Sequence, residues 1–212
     1  MAVPISNVPS RSYRGLEGIL LGLPLFVVIL IGALTGSIVF LQNWLVGAGF
    51  LFVPVILRLV VPVLLYFDAR RLRGKGLDWE PKPWLYAVLG VVFGGLTLLH
   101  YLYKRQQTVI DWEARQYWWL VALATLLVPV LIGGIETVVN QPLLGFVGLF
   151  VTALFPIAIY KDAAFVRLQS ADWQPNPTSQ FTYAAVSLLF VIPIPVYLGY
   201  YLYKRITALG MP

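Results

Sequence analysis

The chain has 212 residues, of which 59% are hydrophobic and only 11% are charged, whereas soluble domains carry about 25% charged residues. A soluble fold cannot bury that much apolar surface, so the composition excludes a soluble globular protein. The net charge of +6 comes from basic residues in short segments, with no basic stripe for nucleic acid, and the lack of cysteine excludes disulfides and thiolate metal sites.

Apolar runs long enough to cross a bilayer core of roughly 30 Å fill most of the chain. They fall at about 16–41, 45–67, 84–103, 117–139, 142–160 and 181–203. The first run is too long for the apolar part of a signal peptide and no clear cleavage site follows it, so we expect it to be retained. The pattern predicts an all-α, polytopic transmembrane bundle of six helices in the cell membrane.

The two halves of the chain share a loop motif. At a shift of 94 residues, Asp-Ala, Arg, Asp-Trp, Pro and Pro recur in register, and the sequence YLYKR at 101–105 recurs at 201–205. We therefore expect two three-helix repeats, residues 1–105 and 106–212, within one membrane domain.

The odd number of helices in each half has a topological consequence. If all six helices cross, the repeats have inverted topology, and the Lys and Arg counts favour a cytoplasmic N-terminus by nine to five. The alternative is that the fourth helix is re-entrant, which would place both loop motifs on one face of the membrane.

The residues of the loop motifs have local structural explanations. The tryptophans are expected to anchor at the membrane interface. Each first aspartate is expected to form a weak interfacial ion pair with the arginine five positions later. YLYKR is typical of the aromatic and basic end of a membrane helix, and contact with a lipid headgroup or a partner protein is the alternative interpretation. The residues concerned are Asp68, Arg73, Trp79, Asp162, Arg167 and Trp173.

A second group of polar residues lies inside the apolar runs. Arg58 is near the middle of the second run, where an arginine costs roughly 2.5–3.5 kcal/mol on the insertion scale, and Pro62 removes the N–H that would bond its carbonyl. Thr152 and Pro156 occupy the matching positions of the second half, and Glu136 is the first candidate partner for Arg58. Paired helix interruptions of this kind indicate a substrate or ion site near the membrane midplane, although simple proline kinks are the alternative.

The block from Asp162-Ala163 through Asp172-Trp173-Gln174-Pro175-Asn176-Pro177 to Tyr201-Leu202-Tyr203-Lys204-Arg205 resembles a pattern in multi-pass membrane proteins of halophilic archaea that have no assigned function. The resemblance implies the multi-pass architecture. It carries no functional residues to transfer.

Two function classes follow from these patterns. The first is a small transporter or channel with a polar site at the repeat interface. The second is a non-transporting membrane subunit or scaffold that contacts lipids, a partner protein or further copies of itself. No motif of a catalytic, metal-binding or cofactor site occurs, so we expect neither an enzyme nor a bound cofactor.

Overall fold

The computed structural model describes residues 3–4, 10–34, 53, 55–110, 115–139, 142–170, 172–190 and 193–210. Almost all of these residues are helical, which confirms the predicted all-α class. The α-helices are α1 (Arg11–Leu34), α2 (Val61–Leu72), α3 (Pro83–Phe93), α4 (Gly95–Thr108), α5 (Trp118–Val139), α6 (Pro142–Gln169), α7 (Pro177–Phe190) and α8 (Pro193–Leu209).

Three of the described helices are long and apolar enough to cross a membrane. Their spanning segments are Arg11–Gly32, Trp118–Thr137 and Leu143–Gln169, and each contains an 18-residue window with a mean hydropathy of 2.2 or 2.3. These helices make the chain a membrane protein, as the composition predicts. The predicted second span, 45–67, lies partly outside the described residues.

The third apolar run of the sequence is a helical hairpin. Helix α3 ends at Gly94, whose φ of +45° is a conformation that glycine adopts readily, and α4 then runs back along α3. The rings of Tyr86 and Tyr101 are 4.9 Å apart, although about 22 Å would separate these residues in one straight helix. Nearer the tip of the hairpin, at Gly94, the Thr97 hydroxyl donates a 2.8 Å hydrogen bond to the Leu89 carbonyl.

The sixth apolar run has the same form. Helices α7 and α8 lie side by side, since the Tyr197 hydroxyl is within hydrogen-bond distance of the carbonyl and side-chain oxygens of Gln180, at 3.1 and 2.9 Å. The end of α8 returns to the loop before α7, where the Trp173 and Tyr201 rings are 5.5 Å apart. Near its last residue, the Ala208 carbonyl accepts a hydrogen bond from Ser170.

These two hairpins differ from the sequence prediction. Residues 84–103 and 181–203 were expected to be single crossing helices, because each run has about the length that crosses a bilayer. In the structure each run turns back near its middle, so the end of each half lies beside the loop where its hairpin begins.

The chain divides into two compact units. The first unit comprises 1–23 and 43–111, and the second comprises 24–42 and 112–212. The boundary between Leu23 and Pro24 therefore falls within α1. In the first unit, a two-residue parallel pairing joins Val3–Pro4 (β1) to Val109–Ile110 (β2). In the second unit, α6 is the central helix, and its buried Phe155, Ala158 and Ile159 pack with residues of α5, α7 and α8.

Candidate functional site

Arg58 lies in a distorted helical turn. Residues Ile56–Val60 form a π-helix that continues directly into α2, and the Val61 N–H donates to the Ile56 carbonyl five residues earlier. Pro62 follows immediately, so the position that lacks an N–H falls beside a widened turn. Arg58 is exposed, and π-helical turns inside α-helices are frequent at functional sites.

The tip of the α3–α4 hairpin packs against this π-helical turn. A Cβ added to Gly94 would lie 3.5 Å from the Leu57 Cβ, and one added to Gly90 would lie 3.2 Å from the Pro62 Cα. Helix α3 has 11 residues, which gives it a length of about 16 Å, roughly half the thickness of a bilayer core. The Arg58 turn therefore lies beside the tip of the hairpin.

The matching positions of the second half have a different structure. Helix α6 continues without interruption through Pro156, and the Thr152 hydroxyl donates to the Gly148 carbonyl at 2.9 Å. The predicted interruption therefore corresponds to a distorted but continuous helix at Pro62, and α6 has no such distortion at Pro156. Pro156 is buried within a helix packed on several sides, and such packing lets a membrane helix tolerate the missing hydrogen bond.

Glu136 packs inside the second unit. Its carboxylate oxygens would lie 2.8 and 2.9 Å from a Cβ added to Gly145, so the acid of α5 rests on the glycine surface of α6. Arg58 belongs to the first unit, and its pairing with Glu136 stays a prediction.

Each unit contains a buried triad of Asp, Tyr and Arg. In the first, which we call the Asp68 triad, Oδ2 of Asp68 accepts hydrogen bonds from the Tyr101 hydroxyl at 2.7 Å and from Arg105 Nε at 2.8 Å. The side chains of Asp68 and Arg105 are both 0% exposed. This ion pair joins the end of α2 to the returning helix α4.

The second triad repeats the first atom for atom. In this Asp162 triad, Oδ2 of Asp162 accepts hydrogen bonds from the Tyr201 hydroxyl and Arg205 Nε, both at 2.9 Å. All three residues are buried. The pair joins α6 to the returning helix α8.

Aromatic rings complete both triads. The Arg105 guanidinium lies 3.6 Å from the centre of the Tyr13 ring in α1, and that of Arg205 lies 5.5 Å from the Trp119 ring in α5. Such contacts between a cation and an aromatic face are attractive. Each triad thus connects the two helices that precede its hairpin to the hairpin itself.

The triads correct the predicted ion pairs. Asp68 pairs with Arg105 and not with Arg73, which is exposed. Asp162 pairs with Arg205, while the predicted partner Arg167 is itself buried. The pairs were expected near the surface because the loop arginines are close in sequence, whereas the hairpins bring more distant arginines to the buried carboxylates.

The tryptophans of the loop motifs also face the triads. Trp79 packs edge to face on Tyr101 at 5.4 Å, and Trp173 packs on Tyr201 at 5.5 Å. Both are half-buried. Each tryptophan therefore covers the tyrosine of its triad, a contact that the predicted role as an interfacial anchor does not include.

Sequence reasoning missed Tyr101, Arg105, Tyr201 and Arg205 as buried residues. The missed signal is the spacing within YLYKR, because its first tyrosine and its arginine are four residues apart and share one helix face. The middle tyrosine points elsewhere, and Tyr203 is 65% exposed. The interpretation as a membrane-helix end stays a prediction for that outer face.

Comparison of the chain with protein-family models, curated proteins and solved structures gives no match.

Proposed function

We propose that the chain is a small integral membrane transporter or channel whose substrate or ion site includes Arg58. The observation that supports it is the exposed guanidinium on a π-helical turn, beside the tip of a hairpin about half a bilayer deep. An arginine at that depth is costly and usually serves a site or a partner. A role of Thr152, Pro156 and Glu136 in substrate or ion binding stays a prediction from the sequence.

The hairpins lead us to propose a topology with four crossing segments and two re-entrant hairpins. Each half then crosses the membrane twice, so the two repeats are parallel and both loop motifs lie on one face. This replaces the inverted arrangement that the sequence predicts from six crossings. The matching triads support an internal repeat, because the same atoms of equivalent residues are bonded in each unit.

The distribution of basic residues supports the parallel arrangement. With two crossings in each half, 14 of the 15 Lys and Arg residues lie toward the face of the N-terminus, either in loops or in the helix ends nearest that face. Arg58 lies in the second apolar run, and the opposite face has none. With six crossings the division is only nine to five. Because basic residues concentrate in cytoplasmic loops, we propose a cytoplasmic N-terminus and cytoplasmic loop motifs.

The chemistry around Arg58 favours an anion or a polar solute. Helix α4 begins at the hairpin tip with Gly95, Leu96 and Thr97, and the first N–H groups of a helix have no partner within that helix. A helix N-terminus attracts negative charge, as does the guanidinium. Both features lie at the depth of the tip, where a crossing anion needs compensation for lost hydration.

Anion flux into proteoliposomes tests this proposal. We expect flux of at least one of chloride, nitrate or phosphate, and a loss of about tenfold or more in Arg58→Gln, because a desolvated charge contact contributes more than about 1.4 kcal/mol. Arg70→Gln is the matched control, since Arg70 is an exposed arginine near the end of α2. No flux of any tested anion, or equal flux in both variants, contradicts the proposal.

A non-transporting membrane subunit is the second candidate. The side chains of Val55, Ile56, Leu59 and Val60 around Arg58 are 37–64% exposed, and an arginine within an exposed apolar surface fits the contact face of a membrane partner or second copy. Native purification tests this alternative. A stoichiometric partner that is lost in Arg58→Gln, together with absent flux, favours the subunit over the transporter.

A further inference from the structure

An open groove lies at the loop end of the first unit. It has a volume of about 700 Å³, and its lining includes Arg73, Glu80, Lys82, Trp84 and Val88. Arg73 and Lys82 have no ion-pair partner among the described residues. Two cations are therefore available at the rim of this groove.

A second, apolar groove of about 380 Å³ continues from the first. Its lining includes Tyr66, Phe67 and Val91, and it shares Trp84 and Val88 with the charged groove. The Trp84 ring packs edge to face on Tyr66 at 5.3 Å and is 72% exposed. The two grooves therefore adjoin at Trp84 and Val88, with the charged groove at the loop end and the apolar groove toward the hairpin tip.

The second half of the chain lacks the residues of this groove. At the shift of 94 residues, Gln174, Asn176 and Thr178 replace Glu80, Lys82 and Trp84. Thr178 is buried, and so is Arg167, the counterpart of Arg73. Both halves have therefore kept the triad, whereas the lining residues of the charged groove are replaced in the second half. The groove residues are thus not required for the structural role of the loop.

We propose that this composite groove is a binding site for an anionic phospholipid. The phosphate contacts Arg73 and Lys82, and an acyl chain lies in the apolar part between Phe67, Val88 and Val91. Charge complementarity selects the ligand, because both rim cations are free and the apolar part leads away from them into the membrane. Cytoplasmic leaflets are rich in such lipids, and each nearby Lys or Arg attracts them by about 1 kcal/mol.

Native mass spectrometry of the full chain tests the site. The protein is equilibrated with equimolar phosphatidylglycerol and phosphatidylcholine of identical acyl chains, and the retained lipid is identified. We expect preferential retention of phosphatidylglycerol, and a loss of that preference by about tenfold in R73Q/K82Q. Glu80→Gln is expected to raise the preference, because it removes the anion at the rim.

The matched control is R70Q/R71Q, which removes two exposed arginines that do not line the groove. An unchanged preference in R73Q/K82Q, or the same loss in the control, overturns the proposal. Val88→Trp tests the apolar part: it fills the junction of the two grooves and is expected to lower retention of both lipids. Unchanged retention of both lipids in that variant also overturns the proposal.

Discussion

Asp68 and Asp162 each receive two hydrogen-bond donors on one carboxylate oxygen, and neither side chain is exposed. A buried carboxylate is costly unless it is paired. The arginine supplies the opposite charge and the tyrosine a second, neutral donor. The residues of each triad therefore depend on one another, and the loss of one member leaves the others buried without compensation.

Substitution of Arg105 is expected to be more damaging than that of a surface arginine. Arg105→Met leaves Asp68 as an unpaired buried charge, so the free energy of unfolding is expected to fall by about 3–5 kcal/mol. Arg71→Met, an exposed site on α2, is expected to change it by about 0.5 kcal/mol or less. Thermal and denaturant unfolding in detergent micelles measures both.

The double variant D68L/R105M separates the ion pair from simple packing. Because neither charge remains, its stability is expected to exceed that of Arg105→Met, although it has one more substitution. If the loss of stability in the double variant equals the sum of the losses in Asp68→Leu and Arg105→Met, the coupling that the Asp68 triad implies is absent.

For single residues, the sequence shows which ones repeat but not which ones form ion pairs. The equivalence of Asp68 with Asp162 and of Trp79 with Trp173 is visible from spacing alone. The partners of the aspartates are 37 and 43 residues away, and they come close only because the hairpins turn back. Local spacing therefore suggested Arg73 and Arg167, which are near in sequence but do not pair with these carboxylates.

The hairpins are the elements that bring distant residues together. An apolar run of about 20 residues has the same composition whether it crosses the bilayer or turns within it, so hydropathy alone cannot distinguish the two. The distinguishing signals are weak: Gly94-Gly95 in one run, and Pro193 and Pro195 in the other. Glycine and proline are common in membrane helices, so these residues did not predict a turn.

Gly94 is expected to be essential for the turn of the first hairpin. With φ at +45° and ψ at −106°, it has a backbone conformation that L-residues rarely adopt, and Gly94→Ala is expected to cost about 1–3 kcal/mol. Gly95→Ala is the matched control, because a Cβ there meets nothing within 4 Å and alanine favours the helix. Unfolding measurements that show equal losses contradict the strained turn.

For the whole molecule, the absence of native cysteine provides a clean test of the parallel arrangement. Lys75→Cys and Gln174→Cys place single thiols at exposed sites in the two loop motifs, and Val139→Cys places one at the exposed end of α5. We expect a membrane-impermeant maleimide to label the first two from the same face and the third from the other. Labelling of positions 75 and 174 from opposite faces would restore the inverted arrangement.

Composition was sufficient to predict a membrane protein and the all-α class, because so much apolar surface has no other stable environment. The number of crossings that we propose could not be predicted in the same way, since it depends on two turns inside apolar runs. Arg58 was chosen as a candidate site residue because a charge in such a run is rare. The groove beside Trp84 was not recognised, because it arises from the packing of α3 against α2 and no local pattern marks it.

The Asp68 triad also orders events during biosynthesis. Asp68 leaves the ribosome before Tyr101 and Arg105, which follow it by 33 and 37 residues. Until they are made, its carboxylate has neither partner and remains more stable in contact with water. We therefore expect the nascent hairpin to dock only after its own last turn has been synthesised, because docking then pairs the aspartate with its arginine.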